Sequence, residues 1–194
     1  MVRSHWPAHL RPAFDALFAI DDAMADVVAQ STQPALGAIK LAWWRERLEE
    51  LDEGKVPAEP RLQAAAEDLL PRGVTGTDLA KLEDGWAALL DEESEENRIA
   101  ERGARLFEMG AILLGGNFDD DVAWAGRLFS SVDVVRRGLS NAAPDKPRLG
   151  QVVIDRPLRP LTALSALAAR GSLEPQATPG RAWALLRHRL TGRI

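Results

Sequence analysis

The chain has 194 residues and 21.2 kDa, enough for one domain with a substantial core, and its 46% hydrophobic and 27% charged residues exclude a disordered or fibrous protein. With no Cys and only three His, disulfide frameworks, thiolate zinc sites, iron–sulfur clusters and Cys nucleophiles drop out. The net charge of −5 is uneven: eight Arg against Asp155 and Glu174 give residues 148–194 a local +6, which leaves −11 on the first 147 residues. A basic end beside an acidic body can attract phosphates or an anionic membrane face. An Arg-rich composition is the plain alternative, since 20 of the 24 basic residues are Arg. A pI of about 5.3 and the lack of a basic ladder interleaved with aromatics argue against nucleic acid as a partner. The start, MVRSHWPAHLRP, is basic but no apolar segment follows, and no run of about 18 apolar residues occurs. The expected location is the cytoplasm, at most peripheral to the inner membrane.

Periodicity is helical nearly throughout. A first helix is expected from Pro12 to Ala29, with Phe14, Leu17, Asp21, Met24 and Val28 on one face. A second runs from Pro34 to Asp52 with Leu36, Ile39, Trp43, Leu48 and Leu51 as its apolar stripe, closed by Gly54. After a proline-containing connector come a short helix from Arg61 to Leu70 and one capped by Thr77 that carries Leu79, Leu82, Trp86, Leu89 and Leu90. A helix from Asn97 to Leu114 stops at Gly115-Gly116-Asn117. Asp119, Asp120 and Asp121 open the next, which reaches about Leu139 and is lined by Val122, Ala125, Phe129 and Val132. The acidic triplet suits a helix N-terminus without invoking a metal. Two closing helices follow at Pro157 to Arg170 and Pro179 to Leu190, and the β-like run Val152 to Ile154 is too short for a sheet. The expectation is an all-α, single-domain bundle over residues 1–194.

No phosphate-binding Gly-rich loop, G-x-S-x-G elbow or H-E-x-x-H helix is present. The carboxylates that remain include Asp22 and Asp26, whose i, i+4 spacing places both on one helical face, where hard cations such as Mg²⁺ could bridge them to a diphosphate. Asp21, on the apolar face of the first helix, needs a partner; Lys40, Arg45 or Arg47 of the second helix could supply it. Trp43 and Trp44 point about 100° apart. Trp43, Trp86 and Trp124 are expected in the core, with Trp44 lining a pocket or interface and Trp6 and Trp183 partly exposed.

The stretch Leu17-Phe18-Ala19-Ile20-Asp21-Asp22, followed by Gln33-Pro34-x-Leu36-Gly37-x-Ile39-Lys40-Leu41-x-Trp43-Trp44-Arg45-Glu46, resembles the opening helices of the squalene/phytoene synthase family. Trp43-Trp44-Arg45 is the most specific part, and Leu158 to Leu164 is similar to a late helix of the family. The resemblance implies an isoprenoid-synthase bundle around an apolar tunnel, with two Asp-rich helical motifs that hold Mg²⁺ on isoprenoid diphosphates during head-to-head condensation.

The chain departs from that pattern where the chemistry would sit. Aligned without a gap on Leu17-Phe18-Ala19, the first metal-binding Asp falls on Ala25, its neighbour on Asp26 and the second ligand position on Ala29; only a short gap brings Asp22 and Asp26 onto the motif. The second motif, N-x-x-R-D-x-x-x-D in the family, corresponds to Ser130 to Arg137, which keeps one Asp133 and has Arg137 where a carboxylate is wanted. Asp133 and Arg137 at i, i+4 fit an ion pair. The first reading is therefore a protein of this build with a prenyl-lipid-type cavity but degenerate motifs, non-catalytic and acting in binding or assembly, similar to the family's complex I assembly-factor relatives. Its basic C-terminal helices could touch a membrane surface. The alternative is an active Mg²⁺-dependent prenyltransferase using Asp22, Asp26 and Asp133, with Arg45, Arg136, Arg137 and Trp44 on substrate. A third reading is a helical scaffold whose exposed Trp face binds a protein partner.

Overall fold

A computed structural model describes residues 5–91, 95–141, 148–171 and 178–194. Prolines set most of the helix starts, because the first turn has no intrahelical use for the missing N–H. This holds for α1 (Arg11–Gln30), α2 (Pro34–Leu51), α3 (Pro60–Asp68), α8 (Arg159–Ala168) and α9 (Pro179–Thr191). The segment expected as one helix capped by Thr77 is two, α4 (Gly76–Ala80) and α5 (Leu82–Ala87), and the cap is Thr75, which forms a reciprocal capping box with Asp78. Asp52, at the end of α2, strengthens that start by accepting from the backbone N–H groups of Gly76 and Thr77 at 2.6 and 2.9 Å. Next is α6 (Glu96–Leu114), which ends on Gly115 in the left-handed region at φ 63°. The last of the central helices, α7 (Asp120–Arg136), is capped by Asp119 and ends before the Leu139 limit expected for it. Asp119 accepts from the N–H groups of Asp121 and Val122, and Asp121 pairs with Arg148, so the acidic triplet serves the helix start.

The fold is all-α. Among the described residues β-type pairing is limited to one antiparallel bridge, Val153 to Arg193, which ties the short Val152–Ile154 run to the chain after α9. The core gathers along α1, where Phe14, Leu17, Ile20 and Met24 are buried. Trp6 is buried as well, stacked on Phe14 and Phe18 at 4.8 and 5.5 Å between ring centres, and Phe18 meets Phe129, which stacks on Phe107. Partial exposure of Trp6 was the expectation; a turn at residues 8–10 folds its ring back onto α1.

The second helix is rotated from the expected setting. Its buried side is Gly37, Leu41, Trp44, Leu48 and Leu51, a 4-3-4-3 spacing that follows one helical seam. Gly37 permits this, since a Cβ there would come within 2.8 Å of Leu90 and 2.7 Å of Ser31. Leu36, Ile39 and Trp43 are left outside, Trp43 with 42% of its surface exposed. Trp44 takes the core position that Trp43 was expected to hold, and the two rings meet edge to face at 5.3 Å. Trp124 is half-buried against the core and Trp183 is exposed.

The most extensive helix contact among the described residues is α6 on α7. Gly103 and Gly126 face each other there, and a Cβ on either would run into the other's backbone carbonyl. Without side chains between them the two helices meet backbone to backbone, and this crossing sets the geometry of the site one residue away.

Candidate functional site

The unusual chemistry of the molecule lies where α1, α5, α6 and α7 converge. Arg102 sits on the buried seam of α6, with Ile99, Leu106, Met109 and Leu113 on the same side, and its side chain has no solvent exposure. A charged group taken out of water so fully needs a partner, because an unpaired ion in the interior costs several kcal/mol. It has three. Its Nη1 donates to both carboxylate oxygens of Asp21 at 2.8 Å, its Nε to Ser130 Oγ at 3.1 Å, and its Nη2 to Asp133 Oδ2 at 3.2 Å. The guanidinium also lies over the Trp86 ring, 3.8 Å from its centre. Gly85 of α5 makes room for this, since a Cβ there would press on Arg102 Cβ at 2.5 Å.

Asp21 is equally enclosed. Trp86 Nε1 donates to its Oδ1 at 2.9 Å, which adds to the Arg102 contacts. Burial pushes the Asp21 carboxyl above its ordinary range, and nearby Asp133 reinforces the rise; Arg102 and the Trp86 N–H oppose it. Ser130 closes the inner side by donating to the Ile99 carbonyl at 2.6 Å.

From Asp133 the network turns outward. Arg137 donates through Nε to Asp133 Oδ2 at 2.9 Å and through Nη2 to Asp22 Oδ1 at 2.6 Å. Partial burial would lower the pKa of Arg137, but Asp133 and Asp22 outweigh it and hold the group more firmly protonated than usual. The result is an alternating series, Asp21, Arg102, Asp133, Arg137, Asp22, that leaves α1 at a buried residue and returns to it at the exposed next one.

This geometry separates the residues that the sequence grouped together. Asp22 and Asp133 do meet, with the Arg137 guanidinium between them. Asp26 does not join them; it is exposed and lies 3.8 Å from Arg61 of α3. Arg45 is 3.9 Å from Glu83, Arg136 is exposed at the end of α7, and Trp44 is buried in the core; none of these has a hydrogen bond or ion pair within the network. The partner of Asp21 is Arg102, and not Lys40, Arg45 or Arg47. Among the described residues no three His, Asp or Glu side chains come together in a way that could hold a metal ion. The residues present do not fit a Mg²⁺–diphosphate cluster: Asp26 stands apart with Arg61, and the Arg137 guanidinium, not an open space, lies between Asp22 Oδ1 and Asp133 Oδ2.

Arg102, Trp86 and Ser130 were not among the residues singled out for function. Arg102 had a visible signal, a lone cation at a seam position of an otherwise apolar helical face, matched to the lone carboxylate Asp21 on the apolar face of α1.

Elsewhere, His188 of α9 is buried and links two segments. Its Nδ1 lies 3.1 Å from the Arg193 carbonyl and its Nε2 2.9 Å from Thr162 Oγ1. A carbonyl can only accept, so Nδ1 carries a proton, and the single Thr162 hydroxyl proton has two acceptors in reach, the Leu158 carbonyl at 3.1 Å and Nε2. Burial lowers the pKa of His188, and the positive charge of Arg159 adds to this. No described helix is long and apolar enough to cross a membrane. Comparison with protein families, with characterised proteins and with solved structures finds no match.

Proposed function

We propose that this chain is a non-catalytic binding or assembly protein built on a squalene/phytoene-synthase-like helical plan, in which internal ion pairs have taken over the place of the metal–diphosphate cluster. One observation carries this reading: two guanidinium groups, from Arg102 and Arg137, occupy the space between the carboxylates of α1 and α7. Ionising a diphosphate needs several positioned cations to stabilise the leaving group. Carboxylates already neutralised by arginines recruit no such cations. Phe18 edge-on to Phe129, Phe107 stacked on Phe129, and the side chain of Arg102 occupy the interior between these helices, so the binding role belongs to the surface. Exposed apolar stripes on α2 and α9 are features of the kind that interaction proteins use.

The test is incubation of the purified protein with farnesyl diphosphate and MgCl₂. The expected result is no diphosphate release above the blank. In addition, the melting temperature should not change with Mg²⁺, since a ligand that binds only the folded state raises it. Release that disappears in an Asp22→Ala, Asp26→Ala double variant would overturn the proposal and favour a working prenyltransferase.

A further inference from the structure

We infer that the outer face of α9 is a docking ridge for an anionic phospholipid bilayer. Trp183, Leu186 and Leu190 are exposed by 66%, 47% and 70%, and at 3.6 residues per turn they fall within about 60° of one another. The opposite face of the helix, through Arg181, Leu185 and His188, is the one that packs onto the protein. Three large apolar side chains therefore form a solvent-facing strip that the fold itself does not use.

The charges around the strip specify what covers it. On the helical wheel Arg187 flanks the strip on one side and Arg189 on the other, both exposed. Clefts of about 290 and 260 Å³ adjoin the helix. Arg156 and Arg189 line the first, beside Leu190; Arg187 and Arg193 line the second, beside Trp183. Among the described residues no Asp or Glu side chain lines either cleft. Arg156, Arg187, Arg189 and Arg193 form no ion pair with any described residue, in contrast to Arg98, Arg102, Arg127 and Arg137, which all pair with acids.

An apolar strip bordered by unpaired arginines is the arrangement of a helix that lies in a membrane interface. Its indole and leucines enter the acyl boundary while the guanidinium groups meet lipid phosphates. A second copy of the chain is a poorer occupant, since a two-fold pairing of α9 on α9 would bring like charges together at both borders. This inference does not rest on the reading of the central network, which lies on other helices.

The experiment is co-sedimentation of the whole protein with vesicles of phosphatidylcholine alone and of phosphatidylcholine containing phosphatidylglycerol. The expected result is binding to the anionic vesicles only, weakened by added salt. An Arg187→Ala, Arg189→Ala variant should bind about thirtyfold more weakly, at about 1 kcal/mol per arginine. Trp183→Ala should weaken binding by at least about tenfold, from the loss of a buried indole. Both sites are exposed, so unchanged circular dichroism and melting temperature will show that the variants remain folded. Equal binding to neutral vesicles, no binding at all, or wild-type binding by Trp183→Ala would overturn the inference. So would a dimer in solution that Trp183→Ala dissociates, because the strip would then serve a protein contact.

Discussion

Replacing Arg102 with Met keeps most of the side-chain volume and removes the charge at the centre of the network. Asp21, with 1% of its side chain exposed, is then left with the Trp86 N–H as its one strong donor. Removing one partner of a buried pair costs about 3–5 kcal/mol, and in a domain of this size each kcal/mol lowers the melting temperature by about 2–4 °C. A drop of about 10 °C at neutral pH is expected. The pH dependence identifies the cause. The Asp21 carboxyl already titrates above its ordinary range because of burial, and loss of Arg102 raises it further. A group whose folded-state pKa lies above its unfolded value contributes stability below the unfolded value and loses that contribution as pH rises through the folded one. The deficit of Arg102→Met relative to wild type should therefore shrink as pH is lowered from 7 toward 5. Adding Asp21→Asn should remove that pH dependence. The assay is urea denaturation followed by far-UV circular dichroism at a series of pH values. A deficit under about 1 kcal/mol at pH 7, or one that grows on acidification, would refute the argument.

Two further outcomes follow from the packing. Gly103→Ala should destabilise the protein by about 1–3 kcal/mol, the usual range for overpacking, because the new methyl must separate α6 from α7; Ala at the open Gly138 (φ 73°) serves as the comparison for backbone strain alone. Equal melting temperatures for Gly103→Ala and wild type would show that the crossing is looser than described. His188 has a folded-state pKa below its unfolded value, so its contribution is complete above about pH 6.5 and declines as pH falls through the lowered value. Hydrogen exchange at the α8–α9 contact should accelerate between pH 7 and 5 in wild type and lose this acceleration in His188→Gln, once the intrinsic pH dependence of exchange is subtracted.

The helices were legible because proline starts, glycine stops and 3.6-residue periodicity all act locally. The need of Asp21 for a partner was legible too, since an acid on an apolar face has few alternatives. Its partner was harder to see, because Arg102 lies 81 positions away and only the approach of α6 to α1 brings them together. The setting of α2 was misjudged for a related reason. Leu36, Ile39 and Trp43 are as hydrophobic as Leu41, Trp44 and Leu48, so hydrophobicity alone could not choose between two overlapping stripes; the smallness of Gly37 decides it, through neighbours the sequence does not reveal. Asp22 and Asp133 lie on either side of one cation, but that cation is a side chain of the chain itself, Arg137, whose i, i+4 spacing to Asp133 is the visible sign in the sequence.

The loop of charges that begins at Asp21 and ends at Asp22 anchors two adjacent positions, about 100° apart in azimuth, to the same pair of neighbouring helices. Turning α1 about its long axis moves both carboxylates at once, Asp21 relative to Arg102 and Asp22 relative to Arg137. Greasy contacts tolerate a few degrees of such roll; two salt links at separate azimuths act as stays and hold the spindle at one bearing, so that the surfaces α1 carries are presented at a fixed attitude.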